Sequence, residues 1–373
     1  VLDEGGEVGR SVTQERHGSF PRLLHVMDRR RATSLLALGL IAPARPAAAL
    51  TREEAVDRLY RMPGVQTVLV HHAGELVAVR GNPERPHNIK SLSKSLLSAA
   101  AGIALADGTF DGLDQPVVEL LPDAIDWNAA PAKRSIQLRH LLTMTAGLAT
   151  TSQGHYGAWV ASNWVRAALE RPLVSAPGEE FIYSTGNSHL LSAALARASG
   201  LSSRDFLDRH LLAPLGGEIV AWERSPEGVH FGGNNLSLRP IDLVAFGELY
   251  LHGGRAGDRQ VVPADWVAAS TRAHSAGWPD RYGRYGYLWW IRPSGAFLAV
   301  GYGGQLLYID RARDAVIVVL SSQAGKGADW DRRLLGVIER GLLPALQAAA
   351  ATAPAVRGGQ PSGGATGSPD GWR

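Results

Sequence analysis

Apolar and polar positions along the chain fall into blocks that each predict one element. Thr51 followed by Glu54 has the spacing of a capping box, and positions 52–61 continue with helical periodicity. Two apolar runs, 65–70 and 76–80, lie on either side of His71-His72-Ala73-Gly74, the pattern of a hairpin. From His87 the chain reads Asn-Ile-Lys-Ser-Leu-Ser-Lys-Ser-Leu-Leu-Ser-Ala-Ala-Ala-Gly-Ile-Ala-Leu-Ala106, a strongly helical stretch that stops at Asp107-Gly108. Helical segments broken by Gly- and Pro-marked turns then run to about residue 251. They are clearest over 138–144, 156–169, 189–199 and 240–251. Strand-like runs return at 285–291, 296–302, 306–309 and 315–321, and turn residues between them favour antiparallel connections. A last helix is predicted over 330–350.

This order is not the alternation of a doubly wound sheet. It predicts an α+β fold in which both ends of the chain build one antiparallel β-sheet, flanked by N- and C-terminal helices. An all-helical lobe, about 107–252, is inserted between them, and a cleft between the two parts is the natural ligand site. Ser91 lies where the chain leaves the sheet for that lobe. The domain is expected over 50–350, and the Gly-, Ser-, Ala- and Pro-rich residues 351–373 are expected to be disordered.

Composition changes the picture at the N-terminus. Met27-Asp-Arg-Arg-Arg31, an apolar core from Ala32 to Ala42 and Ala47-Ala-Ala49 have the layout of a secretory signal peptide, 27–49. Periplasmic or secreted localisation is expected, with paired arginines that suit a twin-arginine route as well. Residues 1–26 read as an upstream extension. Beyond residue 49 the chain carries 31 basic and 30 acidic side chains, a balance that argues against a nucleic-acid partner. No cysteine is present, so disulfides, thiolate catalysis and Cys-ligated zinc are excluded. The apolar core of 32–42 is too short for a comfortable membrane span.

Candidate chemistry begins with Ser91 and Lys94. Three residues apart at a helix start, they share one face. An amine held there, away from water, can take the serine's proton and make it a nucleophile. The chain has four lysines against 34 arginines, and arginine's pKa is too high for this task. Tyr183, in Phe181-Ile-Tyr-Ser-Thr-Gly-Asn-Ser-His189, sits in a polar loop before a helix. Beside a lysine ammonium its pKa is expected to fall, which suits a proton shuttle. Gly-Tyr302-Gly-Gly-Gln305 closes an apolar strand, and glycines there often mark close approach of a ligand to backbone. His71-His72 reads as a surface pair, and His140 and His189 as packed within helices. No Gly-x-Ser-x-Gly occurs, and no clustered metal ligands are apparent among the twelve histidines.

The order Ser91-Leu-Ser-Lys94, Tyr183-Ser-Thr185, Tyr302-Gly-Gly304 resembles the penicillin-recognising serine hydrolases. These comprise class C β-lactamases, D-Ala-D-Ala peptidases, β-lactamase-like esterases and 6-aminohexanoate-dimer hydrolases. The resemblance spans roughly residues 55 to 345 and includes the stretches 138–148, 213–216 and 285–290. It implies a β-lactamase/transpeptidase-like fold and an acyl-enzyme on Ser91. Lys94 would be its proton partner and Tyr183 the general acid/base, with backbone N–H groups of Ser91 and Gln305 as the oxyanion hole. Thr185, Asn187, Tyr302, Gly303 and Gly304 would contact substrate. Neither cofactor nor metal is implied, and the partner is a small ester or amide. Two departures matter: Thr185 stands where β-lactamases carry Asn, and Tyr302 where they carry Lys. A neutral phenol cannot replace that cation, so an esterase or amidase is expected ahead of a β-lactamase or carboxypeptidase. A non-catalytic binding protein on the same scaffold is the alternative of another class. Nothing in the sequence specifies an oligomeric state.

Overall fold

Thr51 caps the first helix, α1 (Arg52–Tyr60), and Glu54 returns the hydrogen bond to complete a capping box. In this computed structural model residues 50–152, 154–322 and 327–352 are described. The expected signal peptide (27–49), the extension before it and the tail from 353 lie outside the described residues. β1 (Val65–His72) and β2 (Glu75–Arg80) form the hairpin. Its turn is only Ala73-Gly74, both at positive φ (51° and 83°), the conformation that suits a two-residue connection between twisted strands. The strand therefore runs through His71 and His72, and the pleat sends them to opposite faces. His71 is not a surface residue: it is buried, with Nε2 2.8 Å from Glu248.

Helix α2 (Ser93–Ala106) is apolar almost all round, the composition of a helix buried on every side, and residues Ser93 to Ala104 are all buried. Gly102 lets the Trp266 ring lie directly on its backbone, where any Cβ would overlap the indole. Further on come α3 (Thr185–Ser199) and α4 (Pro240–Leu251), the latter with Pro at its start. The remaining strands are β3 (Ser275–Trp278), β4 (Gly283–Tyr285), β5 (Trp290–Ile291), β6 (Phe297–Gly301), β7 (Gln305–Asp310) and β8 (Ala315–Ser321). All eight join one antiparallel sheet in the order β2-β1-β8-β7-β6-β5-β4-β3. Central β8 is buried at every position, so its seven apolar-rich residues read as a continuous run rather than an alternation.

α4 packs on β8, β7 and β1, and Gly247 allows close contact with Val316 and Leu307. α1 packs on β1 and on the C-terminal helical segments, α5 (Ala328–Val337), Ile338–Leu342 and Leu343–Thr352. Three expectations change. The helix expected over 156–169 is a 3-10 turn, Tyr156–Val160, and a separate short helix, Trp164–Leu169, which Asn163 caps. The run 285–291 is not one strand: Tyr287 N and Leu288 N bond Ser270 O and Leu142 O, Leu288 has φ +62°, and the chain folds back so that Tyr285 pairs with Trp290. The inserted lobe is also not all helical, because Leu236–Leu238 pairs with His87–Asn88 and Ala221–Trp222 in a small sheet. That sheet ties the lobe to the segment just before Ser91.

Candidate active site

Ser91 lies in a single 3-10 turn, Lys90–Leu92, that feeds directly into α2. Lys90 holds φ +52°, a left-handed conformation that costs a non-glycine residue roughly 1–3 kcal/mol. Both of its ends are tied: its N–H donates to Asn88 Oδ1 (3.0 Å) and its Nζ to Asn235 Oδ1 (2.8 Å). The turn aims Ser91 at Lys94, whose Nζ is 3.0 Å from Ser91 Oγ. Lys94 is 1% exposed, and its other acceptors are Gly233 O at 2.7 Å and Thr185 Oγ1 at 3.3 Å. Its ammonium thus has one acceptor for each of its three protons. Burial penalises the charged form and lowers its pKa from 10.5 to about 7.

A neutral Lys94 has two N–H bonds and one lone pair. With the two donors held by Gly233 O and Thr185 Oγ1, the lone pair falls toward Ser91 Oγ. This is the geometry of a base poised on a hydroxyl.

Tyr183 meets the pair from the other side. Ser91 is near enough to act on its ionisation as a hydrogen-bonding neighbour, and Lys94 Nζ is 5.3 Å from the centre of its ring. Its ring is held in an aromatic wall, 5.8 Å from Trp290 in a stacked arrangement and 5.1 Å from Trp278. The expected fall in its pKa does not occur. Burial pushes it up to about 12, outweighing the lowering by the Ser91 hydrogen bond. Tyr183 is therefore a neutral phenol near pH 7, a proton donor rather than a phenolate.

The pair opens into a cavity of about 870 Å³. Its polar side carries Lys90, Ser91, Ser152, Thr185 and Asn234. Its aromatic side carries Tyr156, Tyr183, Trp278, Tyr282 and Trp290, with Arg281 and Asp331 among the residues around it. Tyr302 and Gly303 line the cavity as expected positions, and Tyr302 is 62% exposed there. They form the turn between β6 and β7, and β6 lies against the Ser91 turn: a Cβ on Gly301 would overlap Ile89 O.

Gly304 and Asn187 do not line the cavity. Gly304, at φ +85°, instead gives room to Trp330, whose Cζ3 would be 2.7 Å from a Cβ. Asn187 is two residues beyond Thr185 on α3, about 200° around the helix, so it points away and its Nδ2 meets Met144 Sδ at 3.7 Å. Gln305 is fully buried behind the cavity wall, where its side chain bonds the backbone of Ser321 in both directions (2.9 and 3.2 Å). Thr185 is placed on Lys94, and its hydroxyl is also 3.0 Å from Ser152 Oγ.

Sequence patterns did not single out Ser152, Trp278, Arg281 or the segment Phe231-Gly-Gly-Asn-Asn235. The last is the most consequential. Gly233 has φ +81°, and a Cβ there would overlap Ser188 Oγ and lie 2.7 Å from Lys94 Nζ. A Gly-Gly-Asn-Asn cluster is a loop signal with left-handed positions, and that was its visible mark. Among the described residues no group of three or more His, Asp or Glu is placed to hold a metal, and no helix is long and apolar enough to cross a membrane.

A sequence profile described as Beta-lactamase matches residues 51–341. The 6-aminohexanoate-dimer hydrolase of Paenarthrobacter ureafaciens is 26% identical over 265 residues, 64% of this chain and 67% of that protein. The monacolin J acid methylbutanoyltransferase of Aspergillus terreus is 30% identical over 154 residues, 36% of this chain and 37% of that enzyme, so the match spans little more than a third of its length. The solved structure of EstCE1, a hydrolase with promiscuous acyltransferase activity, aligns with TM-score 0.63 at 19% identity, covering 77% of this chain and 98% of that one.

Proposed function

Because the chain belongs to the beta-lactamase family, we propose that it is a serine hydrolase that cleaves a small ester or amide through an acyl-enzyme on Ser91. The observation that carries this is a single one: Lys94 Nζ, buried and with a pKa of about 7, lies 3.0 Å from Ser91 Oγ. Ser91 Oγ attacks the substrate carbonyl and passes its proton to the neutral Lys94 amine. The backbone N–H groups of Ser91 and Gln305 are the proposed donors to the oxyanion. As the carbonyl re-forms, the C–O or C–N bond breaks and Tyr183 protonates the leaving group, recovering its proton from Lys94. Water then enters, is deprotonated in the same way, and releases the acid and free Ser91.

The substrate side of the proposal rests on Tyr302. An exposed phenol at the cavity mouth and an aromatic wall suit an apolar acyl or leaving group, and the cations around the cavity are engaged within the protein, Lys90 by Asn235 and Arg281 by Asp331. The similarity to the 6-aminohexanoate-dimer hydrolase and to the methylbutanoyltransferase named above supports an acyl-transferring site. Export to the periplasm or medium, read from residues 27–49, belongs to the same proposal.

The test is a panel of short-chain aryl esters, aminohexanoate oligomers, a chromogenic cephalosporin and D-Ala-D-Ala peptides, with Ser91→Ala as control. Labelling by a fluorophosphonate, abolished in Ser91→Ala, is expected with ester or amide turnover. Rapid cephalosporin turnover without esterase activity overturns the substrate assignment. No labelling at all favours a binding protein.

A further inference from the structure

The acceptor that holds Lys94 is itself held. Gly232 and Gly233 are wedged against α3: Ser188 Oγ donates to Gly232 O at 3.0 Å, and Gly232 N–H donates to His189 Nδ1 at 3.3 Å. A Cβ on Gly232 would overlap Ser188 O, so the loop can lie this close only because it is glycine. The next residue places its carbonyl on Lys94 Nζ at 2.7 Å.

His189 is fully buried, and its contacts bear on which ring nitrogen carries the proton in the neutral ring. Accepting from Gly232 N–H leaves Nδ1 without a proton, so in the neutral ring the proton sits on Nε2. That nitrogen has no hydrogen-bond partner among the described residues, and the Glu227 carboxylate, Oε1 3.6 Å away, favours the proton there by its charge. Glu227 stays ionised: burial raises its pKa, but the His189 ring and backbone donors, among them Val165 N–H at 2.9 Å, bring it to about 2. The charged group facing His189 is Glu227. Trp159, Trp164 and Phe231 surround the rest of the ring, with centroids 5.8, 5.8 and 5.9 Å away, and tolerate no second orientation without repacking.

We propose that His189 is a positioning residue: Glu227 keeps its proton on Nε2, its Nδ1 holds Gly232, and Gly233 O thereby keeps the Lys94 lone pair on Ser91. The chain of contacts runs from Glu227 through the imidazole and the glycine loop to the reacting oxygen. If the loop drifts, Lys94 loses one of the two acceptors that orient it and turns an N–H toward Ser91 instead of its lone pair. The proposal rests on Lys94 as the proton acceptor of Ser91.

Two substitutions separate positioning from filling the aromatic cage. His189→Asn offers an acceptor near Nδ1 but leaves most of the ring's volume empty. His189→Phe fills that volume with no acceptor. If the ring positions the loop, the Asn variant keeps kcat for an aryl ester within about threefold of wild type. The Phe variant loses at least tenfold in kcat with KM within twofold. The opposite ranking, or equal rates in both, overturns the proposal.

A second readout does not depend on turnover. The chain has four lysines, so 13Cε-labelled lysine gives a spectrum in which Lys94 is assigned by its loss in Lys94→Arg. Loss of a carbonyl acceptor disfavours the ammonium, so the Lys94 titration midpoint falls by at least half a pH unit in His189→Phe and not in His189→Asn. An unchanged midpoint in a folded Phe variant overturns the proposal even where no substrate has been found. Fluorophosphonate labelling of the wild type decides the hydrolase assignment separately. Should neither His189 variant fold, Glu227→Gln is read instead: it frees the His189 tautomer, and kcat falls at least threefold, whereas an unaltered rate overturns the proposal.

Discussion

Burying Lys94 has a cost that the wild-type protein carries throughout the neutral range, and replacing it with Met should reveal that cost as a pH-dependent difference in stability. The folded-state pKa is about 7 against an ordinary 10.5. Between these values the unfolded chain binds a proton that the folded chain does not, so wild-type stability rises with pH there. The slope approaches about 1.36 kcal/mol per pH unit once the folded-state amine has lost its proton, so this one group contributes about 2 kcal/mol between pH 7 and pH 9. About a unit below pH 7 both states are protonated and the contribution is flat, at a penalty of about 5 kcal/mol relative to a lysine with no shift.

Lys94→Met has no such titration. It also leaves Gly233 O without its Lys94 donor, which shifts the whole curve by about 1–3 kcal/mol but does not bend it. Other titrating groups are common to both proteins and cancel in the difference. Urea unfolding of both proteins at pH 6, 7, 8 and 9 should therefore show the Met variant's relative stability falling by about 2 kcal/mol across the upper two units, and nearly unchanged from pH 6 to about 6.5. The variant should also fail to label with fluorophosphonate at an appreciable rate. Parallel curves from pH 6 to pH 9 would refute the argument, because they would mean that Lys94 titrates at an ordinary lysine pKa and is no base.

Three further outcomes are expected. kcat/KM for an aryl ester should rise with pH through about 7, as Lys94 loses its proton, and stay level to pH 10, because Tyr183 keeps its proton until about 12; a decline below pH 9 in a protein still folded by circular dichroism would contradict the neutral phenol. Tyr183→Phe should lower kcat by about 10²–10³-fold with little change in KM, the range of a lost proton donor, in steady-state assays. Gly233→Ala, at φ +81° and with Ser188 and Lys94 in the way, should slow fluorophosphonate labelling more than a hundredfold and lower stability by about 1–3 kcal/mol, measured by urea midpoint.

The parts of the site that were legible in sequence are those set by local geometry. Ser91 and Lys94 are joined by one helical turn, so their spacing alone places hydroxyl and amine together, and the structure brings them to 3.0 Å. The strand-and-helix order that predicts the sheet is likewise local pattern, and it yields the two ends of the chain as neighbours β1 and β8. Asn187 fails for a local reason too: once Thr185 begins a helix and faces Lys94, a residue two positions on must face away. What could not be seen is what tunes the pair. Gly233 is 139 positions from Lys94, and only the folded chain brings its carbonyl to the amine.

That tuning also explains why the expected direction for Tyr183 was reversed. A charge argument between two partners predicts that lysine and tyrosine ionise together as ammonium and phenolate. Desolvation acts on each alone and always favours the neutral form. For an amine the neutral form is the base, and for a phenol it is the acid. Burial at each group therefore lowers Lys94 to about 7 and raises Tyr183 to about 12, sorting the two into proton acceptor and proton donor without any charge between them. Burial, rather than ion pairing, is what divides the labour at Ser91. A substitution that lets water reach Lys94 should accordingly move both values back toward their ordinary ones and blur that division.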